Sequence, residues 1–251
     1  MLSQNQSKHI RSLHHKKFRE EEQLFLVEGD KMVSELLSGS YATVTQLFAE
    51  PGWLSQNRFL LSKLKAPVTE VTSSELERIS TMVTPNQVLA VVQMLHPHPN
   101  LTFPGQRICF YLDGVQDPGN LGTILRIADW FGIPAVYCSA DSADMYNPKV
   151  VQSSMGAIFR VPVWRVALEE LVQHNPGLPV LGAVMDGENA LESRVLPSLG
   201  ILVIGNEGKG IRQHNECLLT RRICIPRHPD GKAESLNAAV AAGILSAFIP
   251  F

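Results

Sequence analysis

Three short segments concentrate the residues able to do chemistry. The first runs from Asp113-Gly114 through Asp117-Pro118-Gly119-Asn120 into a helical pattern that carries Arg126 among Ile124, Leu125, Ile127 and Ala128. An arginine in such an apolar stretch snorkels, pairs with an acid, or points into a site. The second segment, Gly205-Asn206-Glu207-Gly208-Lys209-Gly210, follows an apolar run. Its glycines let backbone approach a ligand closely, and Glu207 puts a carboxylate at the same place. The third leads from Ile225-Pro226 through Glu234-Ser235-Leu236-Asn237 into a helix of small residues. Superficially these are nucleotide-binding turns, yet neither the dinucleotide glycine fingerprint nor a P-loop is present, because Lys209 is followed by Gly. Each polar residue also has a plain structural reading: Asn120, Glu207 and Ser235 all stand where a helix cap would.

The elements that must position these segments alternate. Apolar runs at 108–112, 135–138, 161–164, 180–184, 201–204 and 222–225 are expected to be strands. Helices are expected at 120–130, 151–158, 168–173 and 234–248. Strands that are apolar throughout, separated by helices, predict a parallel sheet covered on both faces. Ligands in such sheets bind in the loops leaving the C-terminal strand ends, where all three segments fall.

Upstream, a helix is expected over residues 4–18, with a thin apolar stripe and a basic face. A strand at 23–27 follows, then a helix capped by Asp30, strands at 43–48, 68–71 and 88–94, and a helix capped by Ser73 or Ser74. The run His96-Pro97-His98-Pro99-Asn100, with Phe103-Pro104-Gly105 after it, supports neither helix nor central strand. The expected organisation is therefore a small α/β domain at 1–95, a linker at 96–106 and a parallel-sheet domain at 107–251. The linker histidines read as solvated, and no metal is expected.

Composition sets the outer limits. The chain has 251 residues, 45% hydrophobic and 18% charged, with a net charge of −2. A mean hydropathy of +0.03 excludes a membrane bundle and a disordered chain. Cys109, Cys138, Cys217 and Cys224 show no metal-ligand spacing and predict a reduced, cytoplasmic protein. The overall charge does not exclude a nucleic-acid partner, because local charge decides. Lys8, Arg11, Lys16, Lys17 and Arg19 form an acid-free basic run suited to RNA phosphates; a solvated helix face is the simpler reading. This run resembles a transit peptide in charge but lacks a cleavage signature, and is read as part of the fold.

The ordered patterns D-x-x-x-D-P-G-N-x-G-x-x-x-R, I-G-N-E-G-x-G and I-P-(loop)-E-S-L-N-x-x-V-A resemble the three motifs of the SpoU (TrmH-like) RNA ribose methyltransferases, in the SPOUT superfamily. The resemblance spans about residues 107–251; that of the N-terminal part to the family's RNA-binding substrate domain is looser. It implies an α/β fold whose parallel sheet ends in a deep trefoil knot, which periodicity could not have revealed. It also implies a homodimer, S-adenosylmethionine as cofactor, and methyl transfer to a ribose 2′-hydroxyl of RNA. Substrate is expected to be 23S rRNA, with tRNA as the alternative. The rivals are a non-catalytic RNA-binding protein of this fold and a Rossmann-type enzyme. By motif position Asn120, Arg126, Glu207, Ser235 and Asn237 correspond to catalytic and RNA-positioning residues. Gly205, Ile225 and Leu236 correspond to cofactor contacts, and the strand end Leu181-Gly182-Ala183 is expected to line the adenosine side. Arg126 acts either as a base or as a phosphate clamp; an arginine base requires a very large pKa shift.

Overall fold

The computed structural model describes residues 2–39, 41–84, 86–95, 101–103, 107–192 and 196–250. His96 and His98 lie outside the described residues, as does most of the expected linker. In chain order the elements are α1 (Gln4–Ser12), α2 (Lys16–Glu22), β1 (Leu24–Glu28), α3 (Asp30–Ser38), β2 (Val44–Ala49), α4 (Pro51–Gln56), α5 (Arg58–Leu61), β3 (Val68–Glu70), α6 (Ser73–Ile79) and β4 (Val88–Gln93). There follow β5 (Ile108–Asp113), α7 (Pro118–Phe131), β6 (Val136–Cys138), α8 (Pro148–Ser154), β7 (Val163–Arg165), α9 (Leu168–His174), β8 (Val180–Asn189), β9 (Gly200–Gly205), α10 (Gln213–Glu216), β10 (Arg221–Cys224) and α11 (Ala238–Ser246). Two compact units result: Met1–His96 with Asp144–Phe159, and Pro97–Ala143 with Arg160–Phe251.

The first unit holds a sheet in the order β1-β4-β2-β3, with only β2 and β3 parallel. Its core gathers Ile10, Leu13, Leu26, Phe48, Leu76, Ile79, Leu89 and Val91. The single helix expected over 4–18 is two helices. The cause is Arg19, whose guanidinium takes the carbonyls of Leu13 and His14, each at 2.9 Å, and pairs with Asp144 at 2.6 Å. Those carbonyls point at a buried cation instead of continuing α1. Asp30 does not cap α3 but is its first residue, and its carboxylate receives the Trp53 indole N–H at 2.7 Å. Thr72, not Ser73 or Ser74, caps α6 through a capping box with Glu75. Residues 144–159 join this unit by packing α8 against β1 and the Tyr146 ring on Phe25, centroids 4.8 Å apart.

The second unit is an all-parallel sheet in the order β10-β8-β9-β5-β6-β7. β5 is buried along its whole length and β6 likewise, as a sheet covered on both faces requires. Burial pushes the thiols of Cys109 and Cys138 up to about 12, so neither is reactive. From β5 the chain moves outward through β6 to β7, whereas from β9 it leaves in the opposite direction to β10. The loops after β5 and β9 therefore part at a topological switch point, where such sheets open a crevice. α7 starts on Asp117, which accepts the Asn120 backbone N–H at 2.8 Å, so Asn120 is not the cap and its side chain is released for other work. α11 starts later than expected, at Ala238. Asn237 caps it, and Ser235 and Leu236 lie in the irregular segment before it. β8 is twice as long as the apolar run suggested, because its outer half is exposed and polar.

Candidate active site

Asp113 and Gly205 end β5 and β9 side by side in register. Beyond Gly205 the chain turns back on itself: Asn206 and Gly210 exchange backbone hydrogen bonds of 3.0 and 2.9 Å. The Asn206 side-chain oxygen accepts from the backbone N–H groups of Gly208 and Lys209, and its side-chain amide donates to the Gly114 carbonyl at 2.7 Å. Gly205 must be glycine here, since a Cβ would stand 2.3 Å from the Gly210 carbonyl carbon. The turn closes on Arg212. Its backbone N–H and guanidinium both bond the fully buried Asp113 carboxylate, and its guanidinium also reaches Asp141 at 3.3 Å. The Ser139 hydroxyl, then Arg212, hold the Asp141 carboxyl below the usual carboxylate range.

One continuous hydrogen-bonded chain crosses the three segments. The Asn120 amide donates to Glu207 at 2.7 Å, and the Asn237 amide donates to the Asn120 carbonyl oxygen at 2.8 Å. Glu207 therefore caps no helix. The order of donors leaves each carboxamide oriented and the Glu207 carboxylate anchored, with the second oxygen near Asn206 at 3.4 Å.

Beside this chain opens a cavity of about 740 Å³. Its apolar walls include Val184, Met185, Ile204, Ile211, Ile223, Ile225 and Leu245, and its rim carries Glu207, Lys209, Ser235 and Leu236. One wall comes from an irregularity in β8. The β8–β10 ladder jumps from Arg222↔Gly182 to Ile223↔Glu188, so 183–187 leave the ladder, and Ala183, Val184, Met185 and Asp186 line the cavity. At the far side Arg222 pairs with Asp186 at 2.6 Å and Glu216 at 3.5 Å, and the Arg222 bond holds Asp186 below its ordinary value. Met185 and Leu236 are about half exposed on the cavity, apolar surface that a ligand would cover. Size, apolar walls and converging polar groups match a small-molecule site.

A family model described as the SpoU rRNA Methylase family matches residues 107–247, more than half of the chain. The chain belongs to the SpoU rRNA methylase family. A model of the MRM3-like substrate binding domain matches residues 4–90. The chain is 33% identical to the 23S rRNA (guanosine(2553)-2′-O)-methyltransferase RlmP of Bacillus subtilis, over 94% of this chain and 92% of that protein. A solved chain from Porphyromonas gingivalis, assigned to the TrmH family of RNA methyltransferases, superposes with a TM-score of 0.83 at 39% identity, covering 98% of this chain and 97% of that one. An AdoMet-bound rRNA methyltransferase from Sinorhizobium meliloti gives 0.83 at 26% identity, over 98% and 95%.

Among the residues singled out by the SpoU motifs, the structure brings Asn120, Glu207 and Asn237 into direct contact. Gly205, Ile225, Leu236, Ser235 and Ala183 line the cavity. Leu181 and Gly182 do not: both are buried inside β8, and a Cβ on Gly182 would meet Leu219. Arg126 lies exposed on α7, and its side chain has no hydrogen-bond or ion-pair partner among the described residues. In the first unit, Lys8 and Arg11 line a groove of about 470 Å³ together with His14, His15 and Arg78. Lys16 and Lys17 are exposed outside it, Lys16 within 3.5 Å of Glu20. Arg19 must be removed from the RNA-binding set: it is 2% exposed and spent on Asp144. Sequence reasoning missed Arg78, Asn206 and the Asp113–Arg212 pair. Asn206 and Asp113 stand inside the quoted motifs, so their positions were visible and their roles were not.

Proposed function

We propose that this protein transfers a methyl group from S-adenosylmethionine to a ribose 2′-hydroxyl of 23S rRNA. The observation that carries the proposal is the Glu207–Asn120–Asn237 chain at the rim of the 740 Å³ cavity. The cavity fits the cofactor on its own chemistry. Val184, Ile223, Ile225 and Leu236 offer apolar surface to a purine, and the turns at 205–210 and 225–236 offer backbone groups for polar edges. When bound there, the cofactor supplies an electrophilic methyl on a sulfonium. The residues of this chain do the remainder. The Asn206 turn and the Asp113–Arg212 pair hold the cavity wall. Asn120 and Asn237 orient Glu207 and present the amide edges that position a ribose. Arg126, free of any protein partner among the described residues, clamps an RNA phosphate with its planar fork and stabilises charge on the reacting oxygen. Lys8, Arg11 and Arg78 attract the RNA backbone to the first unit.

The deep trefoil knot, the homodimer and a cytoplasmic location belong to the same reading. In support, Val240 on α11 and Phe248 just after it are exposed, and four free cysteines suit a reducing compartment. No helix among the described residues is long and apolar enough to cross a membrane.

Incubating the protein with tritiated donor and total RNA, then mapping alkali-resistant linkages, tests the reaction. Label at one ribose of 23S rRNA is the expected result. Label in tRNA alone would move the substrate. Donor binding without label would point to a different RNA substrate or a missing assembly partner, and the absence of both label and donor binding would favour the non-catalytic RNA-binding reading.

A further inference from the structure

Phe59 on α5 is 72% exposed, the most exposed aromatic side chain of the first unit among the described residues. It is firmly mounted. The preceding helix is anchored by buried Trp53, and the Asn57 amide bonds the Trp53 carbonyl at 3.0 Å. The Lys63 ammonium sits 4.8 Å from the ring centroid, and Arg58 and Lys65 are exposed on the same short stretch. Residues 51–69 contain no acid, and among the described residues the side chains of Arg58, Lys63 and Lys65 form no ion pair. An exposed ring with one ammonium against it, on a short stretch whose exposed cations form no ion pair among the described residues, complements a polyanion that carries flat apolar faces. Single-stranded RNA has both features, whereas a duplex hides its base faces inside the stack.

We infer that Phe59, with Arg58, Lys63 and Lys65, is a stacking platform for an unpaired base of the RNA substrate. The platform is separate from the groove lined by Lys8, Arg11 and Arg78. It rests on the RNA methyltransferase reading and names the structural class of RNA: a loop or bulge with an accessible base. Stacking is sequence-tolerant, so the platform adds affinity and register, while the cations hold the flanking phosphates.

The test uses the full chain and two fluorescein-labelled probes, a short oligoadenylate single strand and a duplex of equal charge, read by anisotropy at low salt. Phe59→Ala is expected to weaken single-strand binding about tenfold, the scale of one lost base stack, and to leave duplex binding unchanged. Phe59→Trp retains the affinity. Replacing Arg58 and Lys63 by alanine weakens both probes and flattens the salt dependence. Single-strand affinity unchanged in Phe59→Ala overturns the platform, as does an unaltered protein that binds neither probe. A variant that alters the mass in solution while RNA affinity holds assigns the surface to a contact between copies, and also overturns it. Donor binding and methyl transfer to total RNA are followed in parallel. Transfer intact with single-strand affinity that does not depend on Phe59 refutes only the platform; Phe59-dependent single-strand binding with no transfer by the unaltered protein refutes only the enzymatic reading.

Discussion

Asn120 and Arg126 share helix α7, yet the structure treats them differently. Asn120 is locked between Glu207 and Asn237, whereas Arg126 reaches solvent with no partner among the described residues. A charge left unpaired on an exposed surface contributes little to folding, so its conservative replacement tests function cleanly. Arg126→Lys is expected to keep the melting temperature and donor affinity while lowering the transfer rate by about 100-fold, because lysine lacks the bidentate fork. Single-turnover transfer and calorimetry read the two quantities, and near-full activity of the variant would end the phosphate-clamp assignment. Acid sensitivity belongs to the same scale. The Asp141 carboxyl is held low in the folded protein by Ser139 and Arg212. Its contribution is therefore present above the unfolded value of about 4 and is lost as pH falls through the lower folded value. Asp141→Asn should flatten the acid limb of a stability–pH curve below about pH 4, and an unchanged limb would refute it.

At the scale of elements, the cavity depends on how closely backbone approaches backbone. The Gly205 position leaves no room for a Cβ against Gly210 and Ile211. Gly205→Ala must open the turn, and we expect donor affinity to fall by about tenfold or more, a loss near 1.4 kcal/mol. Gly243 on α11 makes the contrast. A Cβ there would meet Ile127 at 3.5 Å, an ordinary contact, in mid-helix. Gly243→Ala is expected to raise stability by about 0.5–1 kcal/mol in urea unfolding. The β8 irregularity obeys the same rule, since Gly187 lies against the Arg222–Ile223 backbone and only glycine fits. The apolar run that marked β8 ended at Val184, so Met185 and Asp186, which line the cavity beside Ala183 and Val184, lay beyond the run.

For the whole molecule, the division of the chain matters most. Residues 144–159 lie inside the segment matched by the SpoU model, yet they pack in the first unit. They supply Asp144 to buried Arg19 and Tyr146 to Phe25. Removing one member of a buried ion pair costs about 3–5 kcal/mol, a large share of a small domain's stability. Residues 1–96 expressed alone should therefore lack a cooperative melt by circular dichroism. Supplying 144–159 through a linker should restore one, and a sharp transition in the shorter chain would refute this.

The local chemistry was legible without coordinates. Alternating apolar strands and helices specified the parallel sheet, and the glycine-rich strand ends specified where to look, because both follow from side-chain period and backbone freedom. The resemblance to the SpoU motifs also pointed to Asn120, Glu207 and Asn237, together with Arg126 and Ser235. What tertiary structure alone decided was contact across long separations. Arg19 looked like one more cation in a basic run, and only the chain 125 residues later made it a buried partner of Asp144. Asn120 looked like a helix cap, and only the placement of Asp117, Glu207 and Asn237 freed its side chain. Charge and period are local properties of a sequence; burial and partnership depend on which distant segments the fold brings together.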